Sequence, residues 1–292
     1  MDIRGSMVAL VTPFDETGQV DGAALRRMVD FHVENGTHAI VPCGTTGESA
    51  TLTHEEHREV IRIVVEEAAG RLPVIAGTGS NSTAESIALT SYAKEAGCAA
   101  ALLISPYYNK PSQEGVYLHY KRIADETAFP LIVYNVPGRT ALNILPATVA
   151  RLAKVPGIVG IKEATANLQQ IAEVIDTTPP AFALISGDDG TTYPTLALGG
   201  VGTISVVANI APRDVAAMCD TWFAGGVEEA RALHYKTLPL AKALFVETNP
   251  IPVKEACGML GLCRPDLRLP MTRLAEERRP VLRAVLEQYG LL

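Results

Sequence analysis

The sequence predicts an α/β protein, a (β/α)8 barrel followed by a C-terminal helical appendix. Two observations predict it. Short apolar, β-branched runs recur along the chain, each followed by a turn, a helical stretch and often a glycine. The runs are also continuously apolar rather than alternating, as parallel strands buried on both faces are. The rival is an open doubly wound sheet, which usually has fewer strands and a glycine-rich dinucleotide loop after the first. Here the first run leads into VTPFDETG with no GxGxxG, GTGSNS at 77–82 carries only the first two glycines, and no GxxxxGK[ST] occurs.

The eight candidate strands are 6–12, 38–43, 73–79, 99–105, 130–135, 158–164, 182–187 and 201–206. Their starts lie about 20 to 35 residues apart, the size of a strand with its crossover helix. Start and stop signals mark the helices between them. Thr53 with Glu56, and Ser82 with Glu85, fit capping boxes, and Gly36, Gly70 and Gly97 stand where helices should end. In HREVIRIVVEEAAG, the residues Val60, Ile61, Val64 and Val65 fall at helical spacing. After about residue 226 the strand pattern stops. VEEARALHYKTLPLAKALF and RRPVLRAVLEQYG read as helices, which divides the chain into a barrel over 1–225 and a helical domain over 226–292.

Composition narrows the function. The chain has 292 residues, 48% hydrophobic and 20% charged, with a formal net charge of −7. That balance opposes a nucleic-acid footprint, which needs a basic patch. No apolar stretch approaches the roughly 18 residues of a membrane span, and MDIRGSMVAL lacks the layout of a signal peptide. The expectation is a cytoplasmic protein. The five cysteines, Cys43, Cys98, Cys219, Cys257 and Cys263, are odd in number and form no CxxC, so neither a disulfide framework nor a zinc site is expected.

In a (β/α)8 barrel, chemistry sits at the C-terminal ends of the strands. Polar groups gather at those ends here: CGTTGES (43–49), GTGSN (77–81), SPYYNKPS (105–112), YNVPGRT (134–140), KEAT (162–165), SGDDG (186–190) and TISV (203–206). Lys162 is one of eight lysines and the only one inside a convincing barrel strand. Burial disfavours the charged form of an amine, and a neutral amine can attack a ketone to form a Schiff base. The alternative is a lysine that snorkels to solvent. Tyr134 ends the neighbouring strand, where a phenol can pass protons or simply pack its ring in the core. The GTTGE turn offers the hydroxyls of Thr45 and Thr46 and backbone N–H groups that suit a carboxylate, or it is a plain strand-to-helix loop. Arg139 suits bidentate capture of a carboxylate, or it makes a surface ion pair. Together these groups describe carbon–carbon chemistry on keto acids.

GTTGES, SPYYNKP, YNVPGRT, GIKEAT, SGDD and NPIPVKEA resemble the motifs of the dihydrodipicolinate synthase family, from GSMVALVTPF at 5–14 to the end of the chain. The wider family of pyruvate-dependent lyases and aldolases includes N-acetylneuraminate lyase. The resemblance implies that Lys162 forms a Schiff base with pyruvate and that Tyr134 is the proton donor and acceptor there. It implies that Thr45 links Tyr134 to Tyr108, a residue inserted from the neighbouring subunit. It assigns the pyruvate carboxylate to Thr46 and the carboxylate of L-aspartate 4-semialdehyde to Arg139, with Gly187 and Ile204 lining the site through backbone groups. It further implies the first committed step of lysine biosynthesis, no metal or organic cofactor, and a homotetramer built from two tight dimers. Feedback inhibition by L-lysine would use Ser49, Ala50, His54, His57, Asn81, Glu85 and Tyr107. For these the alternatives are a capping role for Glu85 and solvent-facing histidines at 54 and 57.

Two other functions fit the same fold. A different pyruvate aldolase would not need Arg139, and a non-enzymatic ligand-binding barrel would not keep Lys162, Tyr134 and Arg139 together. Fold alone supports neither.

Overall fold

The computed structural model describes residues 3–292. Met1 and Asp2, at the start of the expected 1–225 barrel, lie outside the described residues. Strands and helices alternate in chain order. The first half runs β1 Gly5–Ala9, α1 Gly22–Glu34, β2 Ala39–Val41, α2 His54–Ala68, β3 Ile75–Gly77, α3 Thr83–Glu95, β4 Ala100–Ile104 and α4 Gln113–Thr127. The second half runs β5 Leu131–Asn135, α5 Pro137–Thr140, α6 Pro146–Leu152, β6 Ile158–Glu163, α7 Leu168–Thr177, β7 Ala183–Ser186, α8 Thr192–Leu198, β8 Gly202–Ser205 and α9 Pro212–Phe223. Three further helices follow, α10 Val227–Ala243, α11 Ile251–Met259 and α12 Arg279–Tyr289.

All eight predicted strands are present. They belong to one sheet in the order β2-β1-β8-β7-β6-β5-β4-β3, the order of a (β/α)8 fold. Most are shorter than the apolar runs that predict them. The strand for the 6–12 run is Gly5–Ala9, which starts one residue early and leaves out Leu10 to Thr12. Leu10, Val11 and Thr12 stay buried, but the N–H of Val11 donates to the Asn209 side chain at 3.1 Å instead of to a strand. Apolar character follows burial, whereas a strand ends where its hydrogen-bond partner changes.

The chain forms two compact units, one built mainly from Ile75–Ile204 and the other from Gly5–Val74 with Ser205–Leu292. In the first, β3 to β8 pair in parallel and in sequence order. Tyr134 stands opposite Lys162, and Asn135 opposite Glu163. Successive side chains of a strand point to opposite faces, so Tyr134 and Lys162 share one face while Asn135 and Glu163 share the other. Ser112 caps α4 and Asn167 caps α7. The hydroxyl of the fully buried Tyr120 on α4 donates to the Leu103 carbonyl of β4 at 2.9 Å. Ser82 accepts from the Glu85 N–H at 3.4 Å. The Glu85 carboxylate takes the Ser80 hydroxyl at 2.5 Å, so the expected box at Ser82 is a cap made from one side, with the acid turned to the preceding loop.

In the second unit β1 pairs with β2 in parallel, and Ile40 bridges to Val74, the residue ahead of β3. The box at Thr53 forms in full: Thr53 N–H donates to Glu56 at 2.9 Å and Glu56 N–H to the Thr53 hydroxyl at 3.2 Å. Such a cap contributes about 1 kcal/mol. Gly36 and Gly70 close α1 and α2 with φ of +77° and +76°, a conformation that favours glycine. On α2, Val60, Ile61 and Val64 are buried as the spacing predicts, with Ile63 besides. Helices α10 and α12 stand where the C-terminal pattern puts them. Helix α11 does not follow from that pattern. Its segment holds two prolines, but they fall at the start, where a missing N–H costs no helical bond.

Candidate active site

Lys162 sits near the C-terminal end of β6 and is 6% exposed. Its Nζ lies 4.3 Å from the centre of the Tyr134 ring, itself 7% exposed at the end of β5. No carboxylate or hydrogen-bond acceptor approaches the amine among the described residues. It therefore does not snorkel, and it is not neutralised by an ion pair. Gly187, just after β7, explains how the amine chain fits. A Cβ at position 187 would come within 3.1 Å of Lys162 Cε and 2.7 Å of Ala164 Cβ. The Gly187 N–H donates to the Glu163 carbonyl at 2.7 Å, which fixes it there. Ile204 is buried on β8.

Arg139 lies on α5, the short turn of helix that follows β5, and is exposed. Pro137 starts that turn and Ala141 ends it with φ +55°. Tyr108 follows β4 in a left-handed conformation, φ +70°, and is 91% exposed. Its neighbour Asn109 ties the loop down by donating to the Asn81 carbonyl at 2.9 Å. An aromatic ring this exposed has no place in the core of its own unit.

In the other unit, the GTTGE turn follows β2. The N–H groups of Gly47 and Ser49 donate to Gly44, and that of Glu48 to Thr45. The amides of Thr45 and Thr46 have no protein acceptor among the described residues. Asn249 donates to the buried Thr46 hydroxyl at 2.9 Å. The turn ends in Glu48, a non-glycine residue with φ +54°. Its carboxylate is 5% exposed and accepts from Lys254 Nζ at 2.7 Å and from the Arg268 N–H at 3.1 Å. Lys254, wholly buried, also donates to the Asp266 carbonyl and stands 4.0 Å over the Phe14 ring. Burial pushes the Lys254 ammonium below the usual lysine range, and Glu48 pulls it back. Arg268 in turn grips Glu56 of the α2 cap and the Gly18 and Thr51 carbonyls. The NPIPVKEA segment is thus what holds the turn carrying Thr45 and Thr46.

The residues of the expected lysine site fall in both units. Ser49 and Ala50 form a single helical turn, while His54 and His57 open α2. His54 is exposed, but His57 is buried, which removes the solvent-facing alternative for position 57. Asn81 and Glu85 flank the start of α3, and Tyr107 precedes Tyr108 on the loop after β4.

Three buried carboxylates escaped the sequence reading, Glu48, Glu163 and Glu255, the last of them paired with Arg279 at 2.7 Å. Glu163 follows Lys162 directly and points to the opposite face. Asn135 donates to both of its oxygens at 3.2 and 3.0 Å, the Thr165 N–H at 2.9 Å and Gln170 of α7 at 3.2 Å. Desolvation pushes its carboxyl up while these donors pull it down. No group of three or more His, Cys, Asp or Glu side chains among the described residues is placed to hold a metal ion. No helix among the described residues is long and apolar enough to cross a membrane.

Residues 2–289 match the model of the dihydrodipicolinate synthetase family. The chain belongs to that family. A 4-hydroxy-tetrahydrodipicolinate synthase from Geotalea uraniireducens is 56% identical over 289 residues, 99% of each chain. A solved dihydrodipicolinate synthase from Acinetobacter baumannii, described as chloride inhibited and complexed with pyruvate, is 48% identical, with TM-score 0.98 over the full length of both chains. The synthase from Cyanidioschyzon merolae, solved with lysine bound, is 42% identical, with TM-score 0.95 over 99% of each chain. The fold is the (β/α)8 barrel of these enzymes, with helices after its last strand. The chain is accordingly a lyase-type enzyme of lysine biosynthesis by the diaminopimelate route.

Proposed function

We propose that the enzyme condenses pyruvate with L-aspartate 4-semialdehyde to give 4-hydroxy-tetrahydrodipicolinate, with Lys162 as the covalent nucleophile. One observation carries this reading: a buried amine with no acid partner, set against a phenol at the end of a barrel strand. The amine attacks C2 of pyruvate, and the carbinolamine loses water to become an iminium. Loss of a C3 proton gives an enamine, whose carbon attacks the aldehyde. The semialdehyde's own amine then adds to C2, closes the ring and releases the Lys162 amine. Tyr134, beside Nζ, is the group that moves protons at the carbinolamine, in relay with Thr45 and Tyr108.

Thr46 and the unbonded amides of its turn hold the pyruvate carboxylate. Arg139, exposed and charged, takes the carboxylate of the second substrate. Gly187 and Ile204 line the pocket. This use of Arg139 favours the synthase over other pyruvate aldolases. Tyr108 acts in a neighbouring subunit, within a homotetramer of two tight dimers in the cytoplasm; its exposure and left-handed backbone support that reading. L-lysine regulates the enzyme through Ser49, Ala50, His54, His57, Asn81, Glu85 and Tyr107. The chain divides functionally into the barrel over 1–225 and the helical region over 226–292.

Borohydride with pyruvate tests the nucleophile. One pyruvate-derived adduct per chain is expected, on the peptide holding Lys162; an adduct on Lys254, or none, refutes it. Mixed oligomers of Tyr108→Phe and Lys162→Ala chains should recover activity if the tyrosine works across an interface. Titration of L-lysine should inhibit the wild type and spare Glu85→Ala. Because coupling between sites is reciprocal, pyruvate should alter lysine binding in turn.

A further inference from the structure

On its own face, Lys162 stands against the Tyr134 ring and packs close to Gly187, with no hydrogen-bond partner for its amine among the described residues. The side-chain hydrogen bonds at this part of the sheet lie behind it. Asn135 and Glu163 are the next register pair after Tyr134 and Lys162. Their side chains clasp at 3.0 Å across the back of the two strands, and both are almost wholly buried.

We propose that Glu163 is a positioning residue for the reaction: its carboxylate, clasped to Asn135 behind the β5–β6 pair, fixes the strand ends from which Lys162 and Tyr134 project. The inference rests on the reading of Lys162 as the Schiff-base nucleophile. Three arguments support it. A buried carboxylate is costly unless its oxygens are fully hydrogen-bonded, so a filler role would be met more cheaply by an apolar side chain. The donors come from three separate segments, β5, the loop after β6 and α7, so one carboxylate cross-links all three. The network behind Glu163 is also closed. Asn135 Oδ1 accepts from the Ile144 N–H, and Asn143 and Gln170 exchange amide hydrogen bonds at 2.8 and 3.1 Å. Every hydrogen-bond partner of the Glu163 carboxylate among the described residues is a donor. Its main-chain carbonyl also holds the Gly187 N–H, so one residue sets both the strand that bears the amine and the wall beside it.

The test compares wild type, Glu163→Gln and the double variant Glu163→Gln/Gln170→Glu. Each is measured for borohydride trapping rate with pyruvate, kcat, KM for pyruvate and thermal stability. Glu163→Gln keeps the volume but sets an amide donor against existing donors. The trapping rate and kcat should fall about ten-fold or more, while KM for pyruvate stays nearly constant, because geometry and not carboxylate capture is disturbed. The double variant returns an acceptor to the pair from the α7 side and should recover part of the trapping rate. Wild-type trapping in Glu163→Gln would overturn the inference, as would a lower Tm with unchanged kcat per folded enzyme. If Glu163→Gln does not fold, Asn135→Ala and Gln170→Ala decide. The clasp requires slower trapping in the first than in the second, and equal rates would overturn it. Absence of trapping in the wild type would defeat the Schiff-base reading itself and the inference with it.

Discussion

Lys162 and Lys254 are both buried, both follow apolar residues, and both approach an aromatic ring. Lys254 has a carboxylate at 2.7 Å, a carbonyl at 2.6 Å and the Phe14 ring. Lys162 has the Tyr134 ring and, among the described residues, no hydrogen-bond or ion-pair partner. Burial therefore does not separate the two lysines; the partner set does. An amine locked to an acid stays an ammonium ion and holds structure together. An amine buried without one is held in no ion pair.

The largest expected effect breaks the comparison outright. Lys162→Arg should abolish trapping, since guanidinium stays protonated, while Lys254→Met should leave the adduct on Lys162. Trapping that survives Lys162→Arg would erase the distinction between the two lysines.

The next effect is on stability. Lys254→Met leaves Glu48 buried and unpaired, at a cost of about 3–5 kcal/mol. Glu48→Gln/Lys254→Met should lose less than the sum of the two single changes in denaturant unfolding. Strict additivity would argue against a coupled pair.

Arg139→Ala should spare trapping and impair the second half-reaction, by about 2–3 kcal/mol for a lost charge-assisted contact. Equal loss in both half-reactions would contradict that division of labour. Gly187→Ala should slow trapping with little change at Lys254, since the added methyl overlaps Ala164 and crowds Lys162 Cε. Overpacking of this kind costs about 1–3 kcal/mol. A trapping rate equal to wild type would mean that the lysine chain tolerates displacement.

The smallest effect concerns buried bases that stay neutral. Burial pushes His32 down to about 3 and His119 to about 4, from an ordinary 6.5. The unfolded chain then binds protons that the folded one refuses, so stability is full above about 6.5 and falls as pH drops toward 4. Near pH 6 the loss is less than about 1 kcal/mol for each histidine. Replacing His32 by Asn should flatten the acid limb of a Tm-against-pH curve; an unchanged limb would assign acid sensitivity elsewhere.

Much of this was legible in the sequence. Every strand could be read, because a doubly buried strand must be an apolar run, though run and ladder differ at their ends, as Leu10 to Thr12 illustrate. Lys162 stood out because a charge inside such a run is conspicuous. Glu163 did not, because a glutamate after a lysine at a strand end reads as solvated charge. Its burial depends on Asn135, Asn143 and Gln170, which are unremarkable polar residues until the fold brings them together. Glu48 and Lys254 were hidden for the same reason, being 206 positions apart in the chain. The helix α11 was masked by its two prolines.

The pairing of Tyr134 with Lys162 and of Asn135 with Glu163 bears on how this gene can change. Parity assigns odd and even positions at the end of β6 to different faces, one shared with Tyr134 and the other with the Asn135 network. Deleting a single codon within β6 would turn every side chain beyond it to the opposite side. The acid would take the face that Lys162 shares with Tyr134, and the amine would lie among the amide groups behind the sheet. Point substitutions can tune this strand, but it can lengthen or shorten only in steps of two residues.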